Sequence, residues 1–379
     1  MRIVGIICEY NPFHNGHKYQ IDKIKSMYKD CLIIAICSSC FTQRADVSIV
    51  HKWDKAKIAI DNGIDLFVEL PFAFATQDAD RFAKGAIGIL NKLKVDTLVF
   101  GAESYTAKDL IDIANVQLND KDKYDTLVKK YLSLGENYPT SMSKALIDLC
   151  GKTVNKPNDL LGLSYVKTIL DNKYDIEPVV IKRIDNYHND NTINNIASAS
   201  YIRKLFKENK DVSIYIPKDT LKYLHNYDIN SFFPYLKYQI IANGNRAFDI
   251  GTYDEDLCIR IRKYIDESNS WEELVNKVKT KRYTYNRINR TLLHILIGYT
   301  CQDFKDSIVV YDDIRVLGFN KKGQKHLHDI KKDVEIFTHN TKYHFHTFDI
   351  EKRVTNIYSL VLNNNLDIDE YSHKPIIKN

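Results

Sequence analysis

No apolar run in this chain of 379 residues reaches the ~18 needed to cross a bilayer, so no membrane span and no membrane partner are expected. The opening Met1-Arg2-Ile3-Val4-Gly5 runs straight into a strand pattern. It lacks the charged lead, long apolar segment and small-residue cleavage site of a secretory signal, and a cytoplasmic location is expected. The seven cysteines are few, odd in number and scattered, with Cys8 and Cys31 inside apolar runs, which argues for reduced thiols rather than a disulfide framework. There is no internal repeat and little net charge. Lys plus Arg is 54 against 49 Asp plus Glu, and the whole excess of +5 falls in residues 201–379. Within 277–290 the sequence has no acid at all, only Lys277, Lys279, Lys281, Arg282, Arg287 and Arg290, so a polyanionic partner is expected to meet the C-terminal half. What the chain does have is 44% hydrophobic and 11% aromatic residues, ample burial to exclude disorder for its bulk, and a length that implies two or three domains. Its oligomeric state leaves no mark in the sequence.

Continuous apolar runs at 3–8, 32–37, 66–70 and 97–100, the last ended by Gly101, alternate with helical periods at 16–28, 48–61 and 78–92. That alternation predicts a doubly wound parallel α/β sheet with ligands at the carboxyl ends of its strands. Residues 105–172 read as helical with breaks at Gly135, Pro139 and 151–157, and 176–184 as a fifth strand. Beyond about 205, helical periods dominate (231–242, 256–266, 271–279, 286–298). A mixed segment follows over 306–350, with a strand-like run at 307–311, and after Asp367 comes a polar tail expected to be loose. The expected division is 1–205 for the sheet domain and 206–379 for a mainly helical one.

The first strand ends in Glu9-Tyr10-Asn11-Pro12-Phe13-His14-Asn15-Gly16-His17. A tight turn with Gly at the entry to a helix brings unpaired N–H groups and the positive end of a helix dipole to one point, which suits phosphate. Two imidazoles three residues apart share one face of the first turn and can donate to phosphoryl oxygens as charge develops on the α-phosphate and the leaving pyrophosphate. The bland alternative is two unrelated loop histidines.

This arrangement resembles the signature of the HIGH-type nucleotidyltransferases. A longer series narrows the resemblance: residues 9–17, Phe41-Thr42-Gln43-Arg44, Lys52-Trp53, Val68-Glu69-Leu70-Pro71-Phe72, Phe100-Gly101-Ala102-Glu103, Pro157-Asn158-Asp159, Ile181-Lys182-Arg183-Ile184, Tyr187-His188, Ser198-Ala199-Ser200-Tyr201-Ile202-Arg203 and Lys281-Arg282-Tyr283-Thr284 with Arg287-Ile288. In this order they resemble the bacterial tRNA(Met) cytidine acetate ligase family over most of the chain. One departure is visible, since Ala45 and Ser48 stand where the resemblance leads one to expect Gly and Pro. The resemblance implies a Rossmann-like nucleotidyltransferase domain that binds ATP, with magnesium arriving as the ATP complex. It implies activation of acetate as acetyl-adenylate with release of pyrophosphate, and acetylation of N4 of the wobble cytidine of elongator tRNA(Met) with release of AMP. It also implies nucleotide contacts from Ile7, Cys8, Glu9, Tyr10, Asn11, Phe13, Gly16, Gln20, Gly101, Asn158, Arg183 and Ile184, beside catalytic His14, His17 and Arg203.

Ser198 and Ser200, with Arg203 one turn on, have the form of a second phosphate motif at a helix start; a plain N-cap with a surface Arg is the alternative. Asn158 and Asp159 precede a helix and serve equally as caps. Gln43 and Arg44 suit phosphate, acetate or the target nucleotide. Glu69 suits orienting a histidine or a metal, or capping. On a helix over 286–298, Arg287, Arg290 and His294 share one face and Ile288, Leu292 and Ile295 another, so Lys281, Arg282, Arg287 and Arg290 are expected on tRNA, with Tyr283 and Tyr285 stacking on bases. Cys37 and Cys40 with His326, His328, His339, His344 and His346 match no known zinc spacing, and no metal site is expected. Two rivals stand: an adenylyltransferase acting on a small phosphate ester, and a non-catalytic nucleotide-sensing RNA-binding protein.

Overall fold

The apolar runs become strands of one sheet because each is buried on both faces. The computed structural model describes residues 1–183, 195–308, 314–338, 347–361, 370 and 373–378. Its first half runs β1 (Arg2–Cys8), α1 (Asn15–Met27), β2 (Cys31–Ser38), α2 (Lys52–Asp61), β3 (Leu66–Leu70), α3 (Phe72–Ala75), α4 (Ala79–Lys92), β4 (Thr97–Ala102), α5 (Ala107–Asn119), α6 (Lys121–Ser133), α7 (Tyr138–Cys150), α8 (Pro157–Asp171) and β5 (Glu177–Lys182). Then follow α9 (Ala199–Lys207), α10 (Phe233–Asn243), α11 (Glu255–Ile265), α12 (Trp271–Val278), α13 (Tyr285–Ile297), α14 (Cys301–Ser307), β6 (Ile314–Asn320), α15 (Lys321–Ile330), β7 (Ile336–Phe337), α16 (Phe348–Ser359) and β8 (Ile376–Lys378).

Strands β1 to β5 are parallel in the order β5-β4-β1-β2-β3, a doubly wound sheet. Along β2, Leu32, Ile34 and Ile36 enter one core with α4, α5 and α8, whereas Ile33, Ala35 and Cys37 enter the other with α1 and α2. A strand covered on both faces has no polar alternation to show, and each fully buried Leu or Ile contributes about 1.5–3 kcal/mol. Register places Cys8 opposite Cys37, Ser38 opposite Leu70 and Ala102 opposite Lys182, so the loops that follow these strands start from one common edge.

Four expectations change. Gly101 does not end the fourth strand but lies within β4, and Pro139 does not break a helix but occupies the first turn of α7, where its missing N–H costs nothing. Ser307 closes helix α14 instead of opening a strand, and 309–311 lie outside the described residues. The tail is held where it is described: Glu370 is buried and β8 pairs with β6. A third core is built from α10 to α13 and α16, while β6 returns to the sheet antiparallel to β3. Phe41, from the loop after β2, and Phe72, the first residue of α3, insert into that helical core.

A buried ionic cluster ties the C-terminal segment down. Lys52 Nζ lies 2.8 Å from Glu69 Oε1 and 2.6 Å from Glu370 Oε1, Arg315 contacts both carboxylates, and Thr355 donates to Glu370. Among the described residues Glu69 is therefore an ion-pair partner of Lys52 and Arg315. Burial opposes charge on Glu370, but Lys52 and Arg315 outweigh it and hold its carboxyl down to about 2. Removing one member of such a cluster strands the others. Lys52→Met should cost roughly 3–5 kcal/mol in urea unfolding. Lys57→Met, which breaks a half-exposed pair with Asp61, should change stability by less than about 1 kcal/mol.

Candidate active site

Helix α1 begins with a cap made by two imidazoles. His14 is its N-cap: His14 Nδ1 accepts from Gly16 N at 3.1 Å, and His17 Nδ1 accepts from His14 N at 3.2 Å. The N–H of Asn15 goes to Tyr215 O and that of His17 to His14 O, each at 2.9 Å. All four N–H groups that a helix start ordinarily leaves open are thus used. The unpaired N–H groups expected from the sequence are absent, and what faces outward instead is imidazole. The two rings stack with centroids 3.7 Å apart. A β-carbon on Gly16 would lie 2.9 Å from the His14 ring, so this position is restricted to Gly by the cap itself.

Both histidines are neutral. Burial, with the charge of Arg183 added, pushes His14 down to about 3; burial, then His14 and Arg183, push His17 well below the ordinary range. With Nδ1 accepting in each ring, the proton sits on Nε2, and no described residue takes up either Nε2–H. The cleft they line is completed by Gly16, Gln20, Gly101 and Arg183 from among the expected residues. Tyr19, Ile181, Lys182 and Ile196 also line it. Gln20 donates to Val99 O, and Gly101 permits the close approach of Arg183, whose Cγ would stand 3.1 Å from a β-carbon there.

Other expected residues support this cleft from outside it. The Tyr10 and Phe13 rings pack on His17, with centroids 4.7 and 5.6 Å away. Asn11 ties the turn to the loop after β2, donating to Val47 O and accepting from Ile49 N. Ile7 and Cys8 lie half-buried at the end of β1, Cys8 against Ile36 O. Asn158 donates to Glu103 at 2.7 Å, and Asp159 accepts from the N–H groups of Glu103 and Ser104; neither caps α8, whose N-cap is Lys156. Ser198 caps α9, while Ser200 is exposed on it. Arg203 reaches across to donate to Asn11 O at 2.8 Å and pairs with Asp46 at 2.9 Å. Ile184, like Tyr187 and His188, lies outside the described residues.

The basic run is acid-free in sequence but not in space. Arg282 pairs with Asp256 and Arg287 with Asp254, both at the start of α11, and Lys281 lies 3.7 Å from Glu136. Arg290 donates to Gln43 O at 3.4 Å and is half-buried, and burial brings its guanidinium down to about 10. His294 is not on a positive face: it is fully buried between Thr76 and Thr252, and burial holds it near 3. Tyr283 is buried with its hydroxyl donating to Asp254, leaving Tyr285 as the exposed ring. Among the described residues no group of three or more His, Cys, Asp or Glu side chains is placed to hold a metal ion. Cys37 and Cys40 bond separately, His326 bonds Leu93 O and His328 meets Lys331, while His339, His344 and His346 lie outside the described residues.

The loop after β2 explains the two departures from the resemblance. Ala45 sits at φ 62°, a left-handed conformation that Gly adopts without strain. Ser48 donates its N–H to Cys40 O at 2.9 Å, a bond that Pro cannot make. Ala45→Gly should therefore raise stability by roughly 0.5–1 kcal/mol, read as a higher urea midpoint with an unchanged slope.

Comparison with known proteins agrees with this geometry. The family model for HIGH Nucleotidyl Transferase matches residues 1–373. The tRNA(Met) cytidine acetate ligase of Anoxybacillus flavithermus is 36% identical over 96% of this chain and 95% of its own. That of Clostridium acetobutylicum is 32% identical over the full length of both. The crystal structure of apo TmcAL from Thermotoga maritima superposes with a TM-score of 0.90 at 27% identity, covering 100% of this chain and 99% of that one. The same protein bound with alpha-thio ATP gives 0.89. A HIGH nucleotidyltransferase sheet, a helix start capped by two imidazoles at its ligand edge and full-length relatives of one kind place this chain in the tRNA(Met) cytidine acetate ligase family.

Proposed function

We propose that the protein is an ATP-dependent acetate–tRNA ligase acting on the wobble cytidine of elongator tRNA(Met). One acetate oxygen attacks the α-phosphate of ATP, forming acetyl-adenylate as the bond to pyrophosphate breaks. The cytidine N4 then attacks the acetyl carbonyl, forming the amide as the bond to AMP breaks. The observation that carries this reading is the pair of neutral imidazoles, each with Nδ1 committed to the helix cap and Nε2–H left as a donor. Phosphoryl transfer needs fixed donors and positive charge more than covalent help from the protein. Here the donors are fixed before ATP arrives, Arg183 supplies charge beside them, and the α1 dipole points the same way. Arg203 joins them on this reading, because its pair with the half-exposed Asp46 is weak enough to exchange for a phosphate oxygen. Magnesium would enter with ATP, and the described residues offer no cluster of their own to hold it. No described helix is long and apolar enough to cross a membrane.

The test is ATP turnover with each substrate omitted in turn. AMP should accumulate at the full rate only with acetate and tRNA together, and acetate alone should support exchange of pyrophosphate into ATP. Transfer of AMP onto a phosphate ester would favour the adenylyltransferase reading instead. Cap and catalysis can be separated at His14. Asn caps helices well but offers no imidazole N–H, so His14→Asn should keep the melting temperature while costing roughly 2–4 kcal/mol of transition-state stabilisation in the exchange assay.

For the tRNA we propose the exposed side of the run: Lys281, Arg282 and Arg287, with Tyr285 able to stack on a base. Their acid partners do not argue against this, since exposed ion pairs contribute only about 0–1 kcal/mol and exchange readily for phosphate. Arg290, half-buried with its guanidinium on Gln43 O, acts on this reading by holding the loop. Changing Lys281, Arg282 and Arg287 together to Ala should lower the slope of log affinity against log salt by roughly one unit per lost contact, with acetate-dependent exchange unchanged.

A further inference from the structure

Three carboxylates stand at strand ends on the ligand edge, and they differ in what their oxygens do. Glu69 is consumed by Lys52 and Arg315. Glu103 accepts from Asn158 through one oxygen, and its other oxygen is buried out of reach. Glu9 is different. Its Oε1 accepts from Gln43 N at 2.6 Å and from Ser38 Oγ at 3.3 Å, which anchors the side chain to the loop after β2. Its Oε2 has no hydrogen-bond partner among the described residues and is not among the buried polar atoms left unsatisfied, so it is open to an incoming group.

The position of Glu9 matters as much as its free oxygen. The nucleotide cleft lies on the β4–β5 side of the His14–His17 turn, lined by Gly101 and Arg183. Glu9, a nucleotide contact by resemblance, is not among the residues lining that cleft and lies on the opposite, β2 side, against the Gln43 loop. The far side of that loop is held by Arg290 of α13, one turn beyond Arg287. A single stretch of backbone thus joins the proposed RNA face to the end of β1. Glu9 therefore stands between the histidine turn and the loop that α13 holds.

We propose that Glu9 Oε2 receives the proton of the cytidine N4 amine during acetyl transfer, an assignment that rests on the acetate-ligase reading above. Carboxylates pair naturally with the N4 amine of cytosine, so the same oxygen that orients the base is placed to deprotonate it. The lone pair of this amine is conjugated with the ring, and the proton becomes acidic only as the C–N bond forms. At that moment N4 bonds to the acetyl carbon, its proton passes to Glu9, and the bond to AMP breaks with AMP carrying away the electron pair. A carboxylate is a strong enough base for a proton released at that stage. The charged groups facing Glu9 are Lys55, Arg44 and Asp46; burial, opposed by the Gln43 N–H and by Lys55, raises its carboxyl above the ordinary range and so strengthens it as a base.

The test separates the two half-reactions. Glu9→Gln keeps a carbonyl oxygen for Gln43 and Ser38 and loses the base. Acetyl transfer to tRNA from preformed acetyl-adenylate should fall at least ~100-fold, within the range that a general base contributes, while acetate-dependent pyrophosphate exchange falls less than ~10-fold. Glu9→Asp, which restores a carboxylate, should recover part of the transfer rate. Transfer by the unsubstituted protein should rise with pH through one ionisation that the Gln variant lacks. Transfer that survives within ~10-fold in Glu9→Gln, or exchange and transfer that fall together in all variants, would overturn the assignment. Absence of acetate-dependent exchange in the unsubstituted protein would instead sink the ligase reading, and the role of Glu9 with it.

Discussion

The reciprocal cap between His14 and His17 is the constraint on which the site depends. A helix start buried beneath other elements must satisfy its N–H groups, and here two of the four are taken by imidazole nitrogens. That use fixes the tautomer of both rings, stacks them and directs their remaining N–H outward. It also forces Gly at position 16, because the His14 ring occupies the space of a side chain there. Burial beside Arg183 keeps both rings neutral, so they present donors without mutual charge repulsion. One local hydrogen-bonding requirement therefore sets geometry, protonation and sequence together.

The loop after β2 is the second organising feature, and it works by being tied at both ends. Asn11 and Arg203 bind it to the histidine turn through Val47, Ile49 and Asp46. Glu9 takes the Gln43 N–H from one side, and Arg290 takes the Gln43 carbonyl from the other. A loop fixed this firmly can tolerate an Ala in the left-handed region, since the surrounding bonds over-determine its path. It also joins the sheet and the helical core, with Phe41 anchored in the latter.

The buried cluster of Lys52, Glu69, Arg315 and Glu370 does a different job. Ion pairs out of water gain little net stability over an apolar core of the same volume, because desolvation offsets attraction. Their directional demands are strict, however, and each residue comes from a distant part of the chain: α2, β3, β6 and the segment before β8. Such a cluster specifies which late segments close over the sheet, a task that interchangeable apolar side chains perform poorly.

The sequence by itself determined the parallel sheet, its strand ends and the pair of histidines, because those features are written locally. Runs such as Leu32 to Cys37 are apolar at every position only when both faces are covered, and His-Asn-Gly-His after a strand is read within one turn of chain. Only the tertiary structure decided which polar groups are free. The run around Lys281 to Arg290 shows no acid in sequence, yet Asp254 and Asp256 of another helix meet it. His294 falls on the face of Arg287 and Arg290 by periodicity, yet it is buried between two threonines. Strand β6 joins the sheet from the far half of the chain, and Glu9 keeps one oxygen open where Glu69 keeps none. These outcomes depend on partners tens to hundreds of residues away, and a hydrogen bond or ion pair across that separation leaves no periodicity in the sequence from which it could be read.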